Sequence, residues 1–566
     1  MELIAGNEWN GMLAICPKQS VSMLTRDGVR LDADVYYPDA PGDFPVLLMR
    51  LPYGRAIAST VVYAHPAWYA AHGYIVVIQD VRGRGTSAGE FDLFAHEIDD
   101  GFDSVNWAAA LPRSTGQVGM YGFSYQGMTQ LYAAIAQPPA LKTICPSMVG
   151  YDLYHDWAYE GGAFCYQLNL GWAIQLAAET ARRRGDAEAY QRLYSAGRNL
   201  PLADPVCPQS ELLEQLAPDS FYHDWLRHPT PDDYWATLSP CRLMAAVDLP
   251  MLHIGGWFDT YLRGTLRLYH DLAGRSRYPQ HLVVGPWGHL PWGRKVGAID
   301  YGPAADSPID QLQVRWFDQF LKGKETGLLE QLPVQLFEMG GDRWRGFERF
   351  PERSPQPYWL SSTGLACMGL DQGRLYPADV PTADGDLNTP GDRLVHDPWR
   401  PVPALGGHAT APAGPWDRSA LDSRSDVATY TTAPLAADLH LAGAVRATIN
   451  GVADAPSFDI SVILSEVRPD GQVFPITQGY LRVIEPTEAT PPLAIALQPT
   501  CARIPQGSAL RVSLSASCAP AYTVNAGSGR GIMGDRLIDA QIITLTVSTD
   551  PAHPSCILLP VLSADG

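Results

Sequence analysis

Val118-Gly119-Met120-Tyr121-Gly122-Phe123-Ser124-Tyr125-Gln126-Gly127, followed by Met128-Thr129-Gln130-Leu131, is the stretch that decides the fold. A β-prone run ends in Gly-Phe-Ser, and a helix-prone run begins at once. A serine held in so tight a strand-to-helix turn has its hydroxyl thrust beyond the edge of a sheet. Glycines around it let neighbouring backbone pass where a side chain would clash. This is the pattern of a nucleophile elbow in a serine hydrolase. It departs from the usual G-x-S-x-G spacing, because the second glycine, Gly127, stands three places after Ser124.

Outward from the elbow, strands and helices alternate. Residues 46–50 and 74–78 are short, continuously apolar runs, as in strands covered on both faces. Residues 67–71 suit a crossover helix between them, a second helix is expected over 98–111, and 141–145 reads as the strand after the elbow helix. Residues 29–37 alternate apolar and polar side chains, the pattern of a half-exposed antiparallel strand. Such alternation predicts a largely parallel, doubly wound sheet. From about residue 150 to 240 the chain is rich in Trp, Tyr, Ala and Arg, with helical runs such as 173–184 and no strand candidate, so a helical cap is expected. The α/β pattern resumes at 249–255 and 281–285 and closes with a helix over 309–321. Beyond about residue 355, short alternating runs (445–449, 458–465, 510–514, 541–547) separated by Pro, Gly and Asp turns predict an all-β sandwich, a jelly roll. The expected division is therefore 1–148 and 243–354 as two parts of an α/β-hydrolase core, 149–242 as the helical cap, and 355–566 as the C-terminal β-sandwich.

Bulk properties exclude several classes. At 566 residues the chain is too long for one core. Its 46% hydrophobic and 18% charged residues describe an ordinary globular protein, and 48 prolines with 52 glycines imply many turns. A formal charge of −19 with no Lys/Arg cluster repels nucleic acid. Nine scattered cysteines, none in C-x-x-C and none beside closely spaced histidines, argue against a disulfide framework or zinc site and fit a reducing, cytoplasmic compartment. The opening Met1-Glu2-Leu3-Ile4-Ala5-Gly6-Asn7-Glu8 lacks the basic and apolar regions of a signal peptide. No window is apolar enough to span a membrane.

A serine nucleophile needs a base for its proton, a carboxylate to orient that base, and donors for the oxyanion. In α/β-hydrolases these follow in the order Ser, Asp, His, each after its own strand. Here the resumed strands run into Gly256-Trp257-Phe258-Asp259 and Pro286-Trp287-Gly288-His289. Asp259 and His289 thus stand just past the carboxyl ends of buried strands, where open α/β sheets bind ligands. His253 is the rival base, inside an apolar strand. Asp248 and Asp318 are the rival acids. No cofactor or metal is expected: the glycines at 83–85 and 527–529 lack the strand-glycine-helix context of a dinucleotide fingerprint. Arg82 and Arg84 are read as braces of the loop before Thr86.

These blocks resemble the cocaine esterase/X-prolyl dipeptidyl-peptidase family of hydrolases over nearly the whole chain. The resemblance is carried by R-L-P-Y-G-R (50–55), G-Y-I-V-V-I-Q-D-V-R-G-R-G-T-S-A-G-E-F (73–91), G-M-Y-G-F-S-Y-Q-G (119–127), G-G-W-F-D, V-V-G-P-W-G-H, H-D-P-W-R-P-V-P-A-L-G-G (396–407) and D-V-A-T-Y-T-T-A-P-L (426–435). In this family the displaced Gly127 is the ordinary form of the elbow. The resemblance implies a hydrolase domain, a helical cap and a C-terminal jelly roll. It implies Ser124 as nucleophile, Asp259 as acid and His289 as base, with the Tyr125 backbone N–H and the Tyr53 phenol as oxyanion donors. It also implies Trp157, Trp172 and Tyr261 as walls of an acyl pocket. The loop His408-Ala409-Thr410 departs from the aromatic, leucine-rich form of the esterase branch, which makes the alcohol side wider or more polar.

The expected substrate is a small carboxylic ester or amide, cleaved through an acyl-enzyme. Members acting on α-amino acid esters carry extra carboxylates after the triad aspartate, where this chain has Thr260, Tyr261 and Leu262. That departure favours an uncharged or aromatic acyl ester over an X-prolyl peptide or amino ester. Asp156 and Glu160 remain as candidate ammonium anchors against solvated or capping roles. Transacylation and a carbohydrate-binding role for the jelly roll are the other readings. A homodimer is compatible with the sequence, with no nucleic-acid or membrane partner.

Overall fold

The computed structural model describes residues 12–56, 60–352, 354–377, 391–486 and 492–562. The opening stretch read above for a signal peptide, residues 1–8, lies outside the described residues. Ten strands form one sheet: β1 (Gln19–Leu24), β2 (Arg30–Tyr36), β3 (Phe44–Leu51), β4 (Ile75–Asp80), β5 (Ser114–Phe123), β6 (Leu141–Ser147), β7 (Met251–Phe258), β8 (Gln280–Gly288), β9 (Val334–Glu338) and β10 (Arg343–Phe347). Their order is β1-β2-β4-β3-β5-β6-β7-β8-β9-β10. Every neighbouring pair from β4 across to β9 is parallel, and β1, β2 and β10 add antiparallel edges.

Helices α1 (Pro66–Ala71), α2 (Glu97–Ala109) and α3 (Tyr125–Ile135) follow β3, β4 and β5. Between β6 and β7 lie α4 (Tyr166–Arg184), α5 (Ala187–Arg198), α6 (Glu211–Leu216), α7 (Phe221–Arg227), α8 (Asp233–Leu238) and α9 (Pro240–Leu243), while α10 (Leu262–Arg275) and α11 (Ile309–Lys322) follow β7 and β8. Successive side chains of a strand point to opposite faces, and here both faces are covered. Val46, Leu48, Ile75 and Val77 pack with Val105, Met128 and Leu131 of α2 and α3. Leu47, Met49, Val76 and Ile78 pack with Tyr69, Trp316 and Phe317 of α1 and α11. Double coverage is the reason β3 and β4 read as unbroken apolar runs.

Two expectations need correction. β2 is antiparallel, but it is not half-exposed: Asp32 and Asp34 are both buried. Ser22, Arg30 and Thr86 hydrogen-bond Asp32, and Lys18, Ser20 and Arg55 hydrogen-bond Asp34, so the polar face is paired and not wetted. The cap is not free of strands. Tyr159–Glu160 and Ala163–Phe164 pair as a small antiparallel hairpin whose Gly161-Gly162 turn rests on the C-terminal region, Arg482 N–H donating to Gly161 O at 2.8 Å. The glycine pair was its sequence signal.

Beyond β10 the chain is strand-rich and mainly antiparallel. Among the described residues a nine-stranded sheet carries the long pair Ser457–Val467 and Val473–Ile484 at one edge, and a separate sheet has three strands. The remaining runs singled out above form Arg446–Ile449, Ala509–Ser515 and Ile543–Val547. Its core is continuous with one end of the hydrolase sheet, where Trp257, Phe258 and Leu336 meet Leu441 and Ile504. All nine cysteines are free thiols. Among the described residues no helix is long and apolar enough to cross a membrane.

Candidate active site

β5 delivers Phe123 to the carboxyl end of the sheet, and the chain turns into α3 through Ser124, whose φ of 59° and ψ of −127° are foreign to an ordinary L-residue. Such a conformation costs on the order of 1–3 kcal/mol and persists only when its surroundings over-determine it. They do so here. Ser124 N–H donates to Ser147 O at 2.9 Å, and Ser124 O accepts from the N–H groups of Gly127 and Met128, both at 2.9 Å. A Cβ on Gly122 would lie 2.5 Å from the Gln126 Cβ, so the bare Gly122 is what admits a side chain at position 126. A Cβ on Gly127 would lie 2.4 Å from Val149 and 2.9 Å from Ser147 O, so the third position after the serine must be glycine where α3 crosses the end of β6. Beneath the turn, Tyr125 donates its phenol to Glu97 at 2.8 Å, and Arg50 donates to the same carboxylate at 2.6 Å and to Gln79 at 2.8 Å. As the first residue of α3, Tyr125 leaves its backbone N–H without an intrahelical partner.

β7 and β8 bring Asp259 and His289 together, with His289 Nδ1 2.8 Å from Asp259 Oδ1. Asp259 is fully buried, and its backbone carbonyl accepts at 3.1 Å from Gln498, which also donates to Trp257 O at 2.9 Å. The His289 ring packs on Phe123, the residue before Ser124, with centroids 5.4 Å apart, and meets the edge of Tyr261 at 5.0 Å. Tyr53, in the loop after β3, lies close enough to Ser124 for the serine to act on its phenol. Its phenol accepts a hydrogen bond from Trp172 Nε1 at 3.0 Å. Burial pushes the Tyr53 phenol up to about 12, against the lowering effect of Trp172, Arg84 and Ser124, so it keeps its proton at neutral pH.

The three aromatic residues expected in the pocket converge. Trp157 lies 5.2 Å from Trp172 and 4.3 Å from Tyr261, ring centre to ring centre. Phe94, which no motif pointed to, adds its ring 5.8 Å from Trp157. Gln498 was equally silent in the sequence, since a glutamine in a loop carries no signal of what it will reach. The rivals lie elsewhere. His253 is buried and bonded to Gln280, and burial pulls it down to about 4. Asp248 pairs with Arg277, and Asp318 with Lys322 and Lys324.

Asp156 and Glu160 are neither solvated nor open. Asp156 accepts the backbone N–H groups of Tyr151 and Asp152 and pairs with Arg267 at 3.1 Å. Glu160 is buried against Arg263 and His408, each at 2.9 Å, and against the Tyr522 hydroxyl. The polarity of His408 is therefore spent inside the protein. Arg82 pairs with Asp27 and Asp100. Arg84 reaches across to α4, so the loop around Thr86 is braced instead by Arg55 and Asp32. Among the described residues no group of three metal-binding side chains comes together.

A mostly parallel sheet with a serine held in a strained strand-to-helix turn places the protein among the serine hydrolases of α/β-hydrolase fold. Comparison with known proteins agrees. Residues 27–291 match the X-Pro dipeptidyl-peptidase (S15) family, and residues 328–557 match the X-Pro dipeptidyl-peptidase C-terminal non-catalytic domain. Cocaine esterase of a Rhodococcus species is 31% identical, over 96% of this chain and 98% of its own length. Two solved structures share the fold. An aminopeptidase from a marine sediment archaeon, Thaumarchaeota, matches with a TM-score of 0.80 at 22% identity, over 100% of this chain and 99% of that one. An α-amino acid ester hydrolase matches with a TM-score of 0.79 at 23% identity, over 99% and 98%. The chain belongs to the cocaine esterase/X-prolyl dipeptidyl-peptidase family.

Proposed function

We propose that the protein hydrolyses small carboxylic esters with an uncharged or aromatic acyl group through an acyl-enzyme on Ser124. His289 takes the Ser124 proton as the hydroxyl attacks the carbonyl carbon, and Asp259 holds the imidazole through Nδ1–H. The oxyanion accepts from the Tyr53 phenol and the Tyr125 backbone N–H. His289 then protonates the departing alcohol, and water repeats the sequence to release the acid. The observation that carries the reading is the 2.8 Å His289–Asp259 hydrogen bond against Phe123, one residue from the strained Ser124.

The aromatic cluster of Trp157, Trp172 and Tyr261 supports an apolar acyl group. The internal pairing of Asp156 with Arg267 and of Glu160 with Arg263 argues against an ammonium anchor, and so against amino esters and X-prolyl peptides. The strand-rich C-terminal region is read as a jelly roll that packs on the hydrolase domain and walls the site, not as a sugar-binding module. Nine free thiols support a reducing compartment. A small-molecule ester is the partner proposed, with no nucleic acid or membrane, and a homodimer fits this reading.

A fluorophosphonate label followed by peptide mapping should modify Ser124 alone, and Ser124→Ala should abolish labelling and lower kcat by about 10⁴-fold or more. Aryl esters should be cleaved well and X-prolyl anilides poorly. Labelling at another serine would remove Ser124 from the mechanism, and the reverse substrate preference would transfer the assignment to peptidase activity.

A further inference from the structure

Among the buried arginines of the described residues, one has no directly paired carboxylate. Among the described residues, Arg50, Arg84, Arg418 and Arg511 are the arginines buried from solvent. Arg50 pairs with Glu97, and Arg418 and Arg511 pair with Asp422. Arg84 has only neutral partners: one terminal nitrogen donates to Leu176 O at 2.9 Å and to Thr180 Oγ1 at 3.2 Å, both on α4. Its guanidinium carbon lies over Phe91, 3.7 Å from the ring centre, and its Nε is buried with no hydrogen-bond partner. Burial drives Arg84 down to about 10, against the raising pull of Tyr125 and the more distant Glu179, so the group still carries its charge at neutral pH. Leaving such a cation unpaired is costly, and an incoming anion would recover much of that cost.

Arg84 lines a cavity of about 200 Å³ between the loop after β4 and helices α4, α6 and α7. Its walls include the apolar Phe91, Leu176, Ala177 and Phe221, with Thr180, Asp92 and Asp224, the last paired with Arg227. Arg183 is occupied by the carbonyls of Gly85 and Ser87, and Arg184 sits at the rim between the exposed Glu90 and Asp219. Arg84 and Arg183 thus both meet only neutral groups, and Arg84 is the one buried from solvent. Pockets for drug-sized ligands run to roughly 300–1,000 Å³, so this one suits a compact acid of about the size of benzoate.

We propose that this cavity is a binding site for a small organic monocarboxylate, its carboxylate on Arg84 and its apolar body between Phe91, Ala177 and Phe221. The acid half that ester hydrolysis releases has this chemistry, yet the site uses none of the catalytic side chains. Phe221 packs 4.9 Å from Trp172, so the cavity lies behind the acyl-pocket wall and not in front of it.

The test is titration calorimetry at neutral pH with benzoate and, as an uncharged counterpart, benzyl alcohol. Both are run on the unlabelled enzyme and on enzyme labelled at the catalytic serine. Benzoate is expected to bind one-to-one in both preparations and at least about 10-fold more tightly than benzyl alcohol, since charge-assisted bonds to guanidinium are the strong ones. Arg84→Met should abolish the preference for the acid. Ala177→Phe should block both ligands by filling the cavity while leaving the charge in place. Should Arg84→Met not fold, Ala177→Phe and the benzyl alcohol comparison decide. Benzoate binding that labelling abolishes, that neither variant changes, or that benzyl alcohol equals would overturn the proposal, as would no benzoate binding at millimolar concentration.

Discussion

Tyr53 accepts one hydrogen bond in the site and has one phenolic proton to give. The Trp172 indole N–H can only donate, so at 3.0 Å it must fill a lone pair of the Tyr53 oxygen. The phenolic proton is then free for another acceptor, which in the proposed mechanism is the oxyanion formed at Ser124. A donor that itself accepts a hydrogen bond is polarised by it, so in the proposed mechanism Trp172 would position Tyr53 as well as wall the pocket. Tyr53→Phe is expected to lower kcat about 100-fold, the typical worth of one oxyanion donor. Trp172→Phe keeps an aromatic wall and loses only the N–H. It should lower kcat about 5-fold with KM for aryl esters nearly unchanged, as loss of one neutral hydrogen bond implies. The two losses should not add: in the Tyr53→Phe background, Trp172→Phe should change kcat by less than about 2-fold. Additive losses, or a change confined to KM, would return Trp172 to the role of a wall.

The elbow is where element-scale geometry and local sequence meet most tightly. Gly127 is placed against Val149 and Ser147 O at distances that leave no room for a methyl group. Gly127→Ala should therefore push α3 off β6, destabilise the fold by about 1–3 kcal/mol as overpacking does, and misplace Ser124. Thermal unfolding and fluorophosphonate labelling would read both effects. An unchanged melting temperature with full labelling would mean that the helix can shift without cost. The elbow, the parallel strands and the approach of Asp259 to His289 were legible because each rests on a few consecutive residues: an apolar run, a glycine, a polar residue at a strand end. The burial of β2 was not legible, because a period-two pattern of Asp and apolar residues is the same whether the carboxylates meet water or meet Lys18, Arg30 and Arg55. The hairpin at Tyr159 was overlooked since two-residue strands leave no periodicity. Gln498 was invisible for a different reason: it acts on Asp259 from 239 residues away.

At the scale of the whole molecule, Glu160 collects the parts of the chain around one carboxylate. It comes from the cap hairpin, Arg263 from α10 of the hydrolase core, and His408 and Tyr522 from the C-terminal region, 248 and 362 residues further on. Burial alone would raise this carboxyl, but Arg263 and His408 outweigh it and hold Glu160 down to about 2. In the unfolded chain a glutamate titrates near 4.3. Because the folded value is the lower one, the contribution of Glu160 to stability is complete above about pH 4.3 and is lost as pH falls toward 2. Glu160→Gln keeps the shape but leaves Arg263 buried without its carboxylate, and should cost about 3 kcal/mol at neutral pH. Carboxylates remote from this cluster titrate alike in both proteins, so the difference between them reads Glu160 together with its partner His408. Denaturant unfolding followed by circular dichroism should show that difference wide at about pH 6 and closing between about pH 4 and pH 2, as the wild-type carboxyl takes up its proton. A gap that stays constant across that window would mean the ion pair contributes nothing to holding cap, core and C-terminal region together. Their association would then rest on apolar contacts alone.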